Sequence, residues 1–282
     1  MMRVLSLLLS VTLWIALSFD GSWAQTQTHP CEPTDLLICG TGDSQRLFRR
    51  LAEAFEHIHP EIQINVPMSI GSSGGIKAVA AGKCDFGRVA RPLNDKEKRY
   101  GLYYLAIAQA PVVFVANESV EGITDLSEEE VVGIYSGTIT DWQKLGGTAG
   151  KIYVANREKG DASRSVIEEK VPAFNEIESF AGKIIYTTPE TIAIIVKHEG
   201  TVGYTNLTQI EHHEGLKVFT FADVAPTTDH IQAGRYPLLI PLGLVWSEGL
   251  GSAGREFLKF LSSPEAREVM FEHGTVPISN GS

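Results

Sequence analysis

Long apolar runs are scarce in this sequence. The one stretch that approaches a membrane span, Val4 to Phe19, lies at the very N-terminus, and no later run is long enough to cross a bilayer. Basic residues are also in deficit, with 24 Lys and Arg against 34 Asp and Glu and a net charge of −10. Nucleic-acid binders carry the opposite excess, so nucleic acid is not an expected partner. The deficit does not exclude a small anion, because a local pocket can oppose the global sign. Cysteine is rare and odd in number: Cys31, Cys39 and Cys84 allow at most one intrachain bridge. Cys31–Cys39, Cys39–Cys84 and buried free thiols all remain open. His212, His213 and His230 match no compact zinc spacing and read as loop residues, so no metal and no cofactor is expected. Repeats and low-complexity tracts are absent. With 43% hydrophobic and 21% charged residues in 282, the chain excludes disorder, collagen and coiled coil, and has room for about two domains.

The N-terminal run reads as a secretory signal. Arg3 supplies the positive end, the apolar stretch follows, and Ser22-Trp23-Ala24 places small residues where a signal peptidase reads. The expectation is a signal peptide over 1–24, cleavage after Ala24, a periplasmic or secreted product, and no membrane insertion after cleavage. Export also permits a disulfide.

Beyond residue 34, strand-like and helix-like stretches alternate, which predicts an α/β class. Leu36 to Cys39 reads as a strand. A helix follows with Leu47, Phe48, Leu51, Phe55 and Ile58 on one face, ended by Pro60. Ile62, Ile64 and Val66 alternate as a second strand, Val112 to Ala116 is a buried-type strand, and Leu126 to Tyr135 is a helix. A long apolar extended run covers Leu238 to Trp246, and Ser263-Pro264 opens the last helix.

One pattern recurs. Gly40-Thr41-Gly42-Asp43-Ser44, Gly71-Ser72-Ser73-Gly74-Gly75 and Gly160-Asp161-Ala162-Ser163 each follow a strand and open a helix. Such a turn directs unpaired N–H groups and the positive end of a helix dipole at one point. Glycine lets a ligand approach the backbone, and Ser or Thr adds hydroxyls. Three such ends together make a site for a small tetrahedral anion.

With these turns, Asp85-Phe86-Gly87, Arg91-Pro92-Leu93, Ile134-Tyr135-Ser136-Gly137, Asp141-Trp142, Arg157 to Arg164 and Gly200 to Tyr204, the chain resembles the phosphate-binding proteins of bacterial ABC transporters. The resemblance runs from about Leu36 to Ile278. It implies two α/β lobes of the type II periplasmic-binding-protein fold, each a mostly parallel sheet flanked by helices. Lobe I would comprise 35–113 and 237–282, and lobe II 114–236. Two hinge strands would cross near Val112–Ala116 and Leu238–Val245. It further implies a monomer that captures inorganic phosphate between the lobes and delivers it to an ABC permease. Ser44, Ser72, Arg157 and Ser163 map to ligand contacts, and the backbone N–H groups of Ser73, Gly74 and Ala162 would add donors. Another oxyanion (sulfate, molybdate, tungstate), a small organic anion, and a sensory or adaptor role are the alternatives on the same fold.

The pattern breaks at three positions. Ala90 stands where the family has a carboxylate that accepts the ligand's proton, Lys159 replaces a second aspartate, and Asp161 replaces a serine of the third turn. A carboxylate ~4 Å from an anion costs roughly 4 kcal/mol at an effective dielectric of 20. Asp161 must therefore turn away, meet Arg157 or Arg164, or accept a proton from the ligand; Asp43 is the other candidate acceptor. The plainer expectation is that Asp161 caps the helix after it. Arg164 is expected to be a brace behind the site or a salt-bridge partner and not a direct ligand contact. Arg88, Arg91 and Lys77 are expected to be solvated surface charges, with a positive rim to the cleft as the alternative. No enzyme is expected: the glycine turns lack the Lys-Ser/Thr ending of a nucleotide loop, no His-Glu-x-x-His occurs, and no local histidine could activate Ser72 or Ser163.

Overall fold

In a computed structural model, residues 34–148, 150–210 and 213–278 are described. The signal segment, Cys31 and His212 lie outside them. Strand β1 (Thr34–Gly40) leads into helix α1 (Gln45–Ile58), then β2 (Ile62–Asn65), α2 (Gly71–Ala80), β3 (Phe86–Val89) and the short α3 (Asp95–Lys98). A long strand β4 (Tyr103–Asn117) follows, with β5 (Asp125–Leu126), α4 (Glu128–Ser136), β6 (Tyr153–Arg157), α5 (Ala162–Lys170) and α6 (Pro172–Asn175). Next come β7 (Lys183–Ile185), α7 (Thr188–Lys197), β8 (Thr201–Asn206), β9 (Leu216–Val218), β10 (Thr220–Phe221) and α8 (Thr228–Gln232). The chain closes with β11 (Leu239–Trp246), α9 (Ser252–Phe260), α10 (Pro264–Glu272) and β12 (Val276–Pro277).

The sheet order β2-β1-β3-β11-β4-β8-β6-β7 places two parallel trios at its ends, β2-β1-β3 and β8-β6-β7. Between them β11 and β4 run antiparallel. Strand β4 serves both halves: its residues up to Pro111 pair with β11, and Val112 to Ala116 pair with β8. Pairing therefore changes partner at Pro111–Val112, where the Val112 N–H also donates to the Leu238 carbonyl at 2.8 Å.

Residues Val112 to Ala116 are wholly buried, as expected of a strand covered on both faces. Tyr103 to Pro111, which the sequence reading passed over, extends the same strand. Its alanines and glutamine are weak strand formers, and pairing with β11 decides its conformation. In α1 the expected face is buried except at its end: Leu47, Phe48, Leu51 and Phe55 are inside, but Ile58 is 52% exposed.

Two glycines let the first half close on itself. Gly40 sits at φ +132°, and a Cβ there would lie 2.2 Å from the Arg88 carbonyl oxygen. A Cβ on Gly75 would lie 2.7 Å from the Gly40 Cα. The start of α2 can therefore pack directly on the ends of β1 and β3. Cys39 and Cys84 are bridged there, which resolves the pairing that sequence left open.

Candidate functional site

The parallel strands of each trio end where the next helix begins, so their C-terminal edges collect helix N-termini. A cleft of about 670 Å³ opens at these edges. Thr41, Gly42, Asp43 and Gln45 line it from the start of α1, and Ile70 to Gly74 from the start of α2. Arg157, Glu158, Gly160, Asp161 and Ala162 line it from the start of α5. The three glycine turns thus converge. A fourth N-terminus joins them: Tyr186, Thr187, Thr188 and Pro189 line the cleft at the start of α7. No glycine marks this one in the sequence. Its signal was a capping threonine followed by proline and glutamate; the Thr187 side chain accepts from the Glu190 N–H.

Of the eight candidate residues, Ser72, Ser73, Gly74, Arg157, Asp161 and Ala162 face this cleft. Ser44 and Ser163 are almost wholly buried and are not among its lining residues. Ser44 precedes α1 without a side-chain capping bond, and its hydroxyl has no partner among the described residues. The Ser72 hydroxyl accepts the Ala90 N–H at 3.1 Å, so its own hydrogen stays available to a ligand.

Arg157 is 5% exposed. Its Nε donates to the Ile185 carbonyl at 3.2 Å, its Nη1 to the Thr188 hydroxyl at 3.2 Å, and its Nη2 meets Asp161 at 2.7 Å. These contacts leave one hydrogen on each terminal nitrogen for a bidentate oxyanion. Arg164 braces it, donating to the Arg157 carbonyl at 2.7 Å and to Glu168 at 2.7 Å. Asp161 does two things at once. It caps α5 by accepting the Arg164 N–H at 3.0 Å, and it pairs with Arg157. Burial pushes its pKa up to about 6; Arg157 and the Arg164 N–H oppose the shift, while Asp43 and Glu158 add to it. Asp43 is held from the far side, where Asn206 and Gln209 donate to its carbonyl at 3.0 and 2.9 Å.

The surface-charge expectation holds for exposed Lys77 and fails for the two arginines. Arg91 lines the cleft and binds Glu97 through both terminal nitrogens at 2.7 and 2.8 Å. That hydrogen bonding raises the Arg91 pKa and lowers that of Glu97. Arg88 is not solvated at all: it is 0% exposed, and its Nη2 donates to the Pro67 carbonyl at 3.0 Å.

A second groove of about 740 Å³ lies between α1 and β2, with Asp35, Glu53 and Glu56 on its wall against Arg49. Its carboxylates outnumber its cation and it has no helix N-terminus, so it is the poorer anion site. Gly71 to Gly75 also spells Gly-x-Ser-x-Gly. There the Ser73 hydroxyl is bound by Arg91 and Glu97, and no histidine is among the cleft's lining residues, so a serine nucleophile would lack a base.

Known proteins resemble this chain in sequence and fold. A family model described as "PBP superfamily domain" matches residues 25–265. The phosphate-binding protein PstS of Bacillus subtilis is 25% identical over 251 residues, covering 87% of this chain and 81% of that one. PstS 2 of Streptococcus pneumoniae is 31% identical over 132 residues, 45% of this chain and 44% of that one. Among solved structures, a putative phosphate ABC transporter substrate-binding protein with bound phosphate from Clostridium perfringens superposes with a TM-score of 0.79. It is 25% identical, and the match covers 87% of this chain and all of that one.

Proposed function

Since the chain belongs to the PBP superfamily, we propose that it captures inorganic phosphate in the cleft and delivers it to an ABC permease. The observation that carries this is the convergence of four helix N-termini and Arg157 on one cavity. Helix N-termini and a bidentate guanidinium bind a tetrahedral oxyanion without a metal or cofactor. The relatives are named as binding proteins, and we read this chain likewise as a binding protein and not an enzyme. No described helix is long and apolar enough to cross a membrane. We read the chain as a monomer released to the periplasm or exterior after the signal is removed.

We place lobe I at 35–113 with 237–282 and lobe II at 114–236. The change of strand partner at Pro111–Val112 supports a hinge there, with the segment entering β11 as the second crossing. In this mechanism the α1 and α2 ends of one lobe and the α5 and α7 ends of the other contact one anion, and these contacts favour the closed state.

Thermal unfolding of the stripped protein with phosphate, sulfate, molybdate or tungstate tests the reading. Phosphate at a hundred times its dissociation constant should add about 2.7 kcal/mol. A shift with a different oxyanion alone replaces the ligand and keeps the site; no shift with any of them removes the oxyanion reading. In Arg157→Ala the phosphate shift should vanish. Breaking the buried pair with Asp161 should also lower that variant's stability by about 3 kcal/mol at neutral pH, since the carboxylate would be left without its partner.

A further inference from the structure

The cations that line the cleft are already spoken for inside the protein. Arg157 meets Asp161 at 2.7 Å and Glu158 at 3.5 Å, and Arg91 meets Glu97 at 2.7 Å. With Asp43 also on the wall, the visible lining supplies no surplus positive charge to an anion.

Arg88 is different. It is fully buried, and its Nε and Nη1 have no hydrogen-bond partner among the described residues. Among the described residues no carboxylate is paired with it, and the one charged group that perturbs it is a second cation, Arg49. Burial and that neighbour lower its pKa to about 10, which still leaves it charged at neutral pH. Its Nη2 donates to the Pro67 carbonyl at 3.0 Å and, more weakly, to the Gly40 carbonyl at 3.5 Å. Its own carbonyl accepts the Thr41 N–H at 3.1 Å. Gly40 leads into the turn carrying Thr41, Gly42 and Asp43, and Pro67 into the turn carrying Ser69 to Ser72. Arg88 therefore stands directly behind the two turns that form one wall of the cleft, and it joins them.

We propose that Arg88 is a positioning residue for the ligand: a buried, carboxylate-free cation that ties the first two anion-facing turns together and supplies the wall's uncompensated positive charge. The inference rests on the oxyanion reading of the cleft. A purely structural tie between two carbonyls needs only a neutral donor. An unpaired buried charge is instead costly to the empty protein, and that cost is relieved when an anion enters nearby.

The two roles predict opposite signs. In Arg88→Met, which keeps length and apolar bulk, the empty protein should unfold at the native temperature or above it. Its phosphate dissociation constant should rise about tenfold or more. Arg88→Gln should behave similarly, and Arg88→Lys should recover most of the affinity by restoring the charge. Calorimetric titration with inorganic phosphate and unfolding of the stripped full-length chain read both quantities. Arg88→Met or Arg88→Gln binding phosphate within twofold of native overturns the proposal. So does Arg88→Lys binding no better than Arg88→Gln, or neutral variants that fail to fold while Arg88→Lys folds and binds no phosphate. Native protein that binds none of phosphate, sulfate, molybdate or tungstate is a separate result, because it removes the oxyanion reading itself.

Discussion

At the residue scale the site turns on how Asp161 is accommodated. A carboxylate this buried is tolerated because it receives the Arg164 N–H and the Arg157 guanidinium. Its folded pKa is nonetheless pushed up to about 6, against about 3.9 in an unfolded chain. The folded state thus holds this proton more tightly than the unfolded one. Its favourable contribution is fully present below about pH 4 and is lost as pH rises through about 6. The empty protein should therefore lose stability, on the order of 1–3 kcal/mol, across that window from this group alone. Asp161→Asn keeps a good capping side chain and removes the titration. Urea midpoints measured stepwise between these pH values should show a flatter profile in the variant, and an unchanged slope would contradict the assignment. The capping role was legible in sequence from the residue type and its place at a helix start. The simultaneous pairing with Arg157 was legible only as one of several alternatives, because side-chain direction depends on β6 and α5 packing together.

At the scale of elements, the helix starts converge on the cleft and the glycines set how closely they approach. Gly40 and Gly75 let α2 pack onto the ends of β1 and β3, and the Cys39–Cys84 bridge pins the same corner. The bridge spans a sequence separation of 45, so it removes loop-closure entropy worth about 4 kcal/mol from the unfolded chain in the entropic model. Replacing both cysteines by alanine should lower the unfolding free energy by about 2–4 kcal/mol. Thiol titration of the denatured, unreduced protein should find no more than one reactive group; three would remove the bridge. Sequence reading located three of the four helix starts because glycine marked them. The fourth, at α7, carries ordinary capping chemistry that looks the same whether or not the helix points at a ligand.

At the scale of the whole molecule, one strand serves both halves. Strand β4 pairs with β11 up to Pro111 and with β8 from Val112, so a rotation between the halves must be absorbed near that change. Ligand contacts from both halves should favour the closed arrangement. Small-angle X-ray scattering should then give a smaller radius of gyration with phosphate than without it, and identical profiles under saturating phosphate would exclude a closing hinge. By itself the sequence determined the α/β class, the turns that open α1, α2 and α5, and an acidic chain with no excess of basic residues. These follow from local periodicity, capping and composition, which a short stretch of chain carries on its own. Only the tertiary structure decided that Arg88 is buried without a carboxylate, that Ser44 and Ser163 lie behind the wall, that Cys39 pairs with Cys84, and that α7 completes the cleft. Each of these depends on which distant segments meet, and a side chain's charge, partner and exposure are properties of that meeting and not of its own neighbours in sequence.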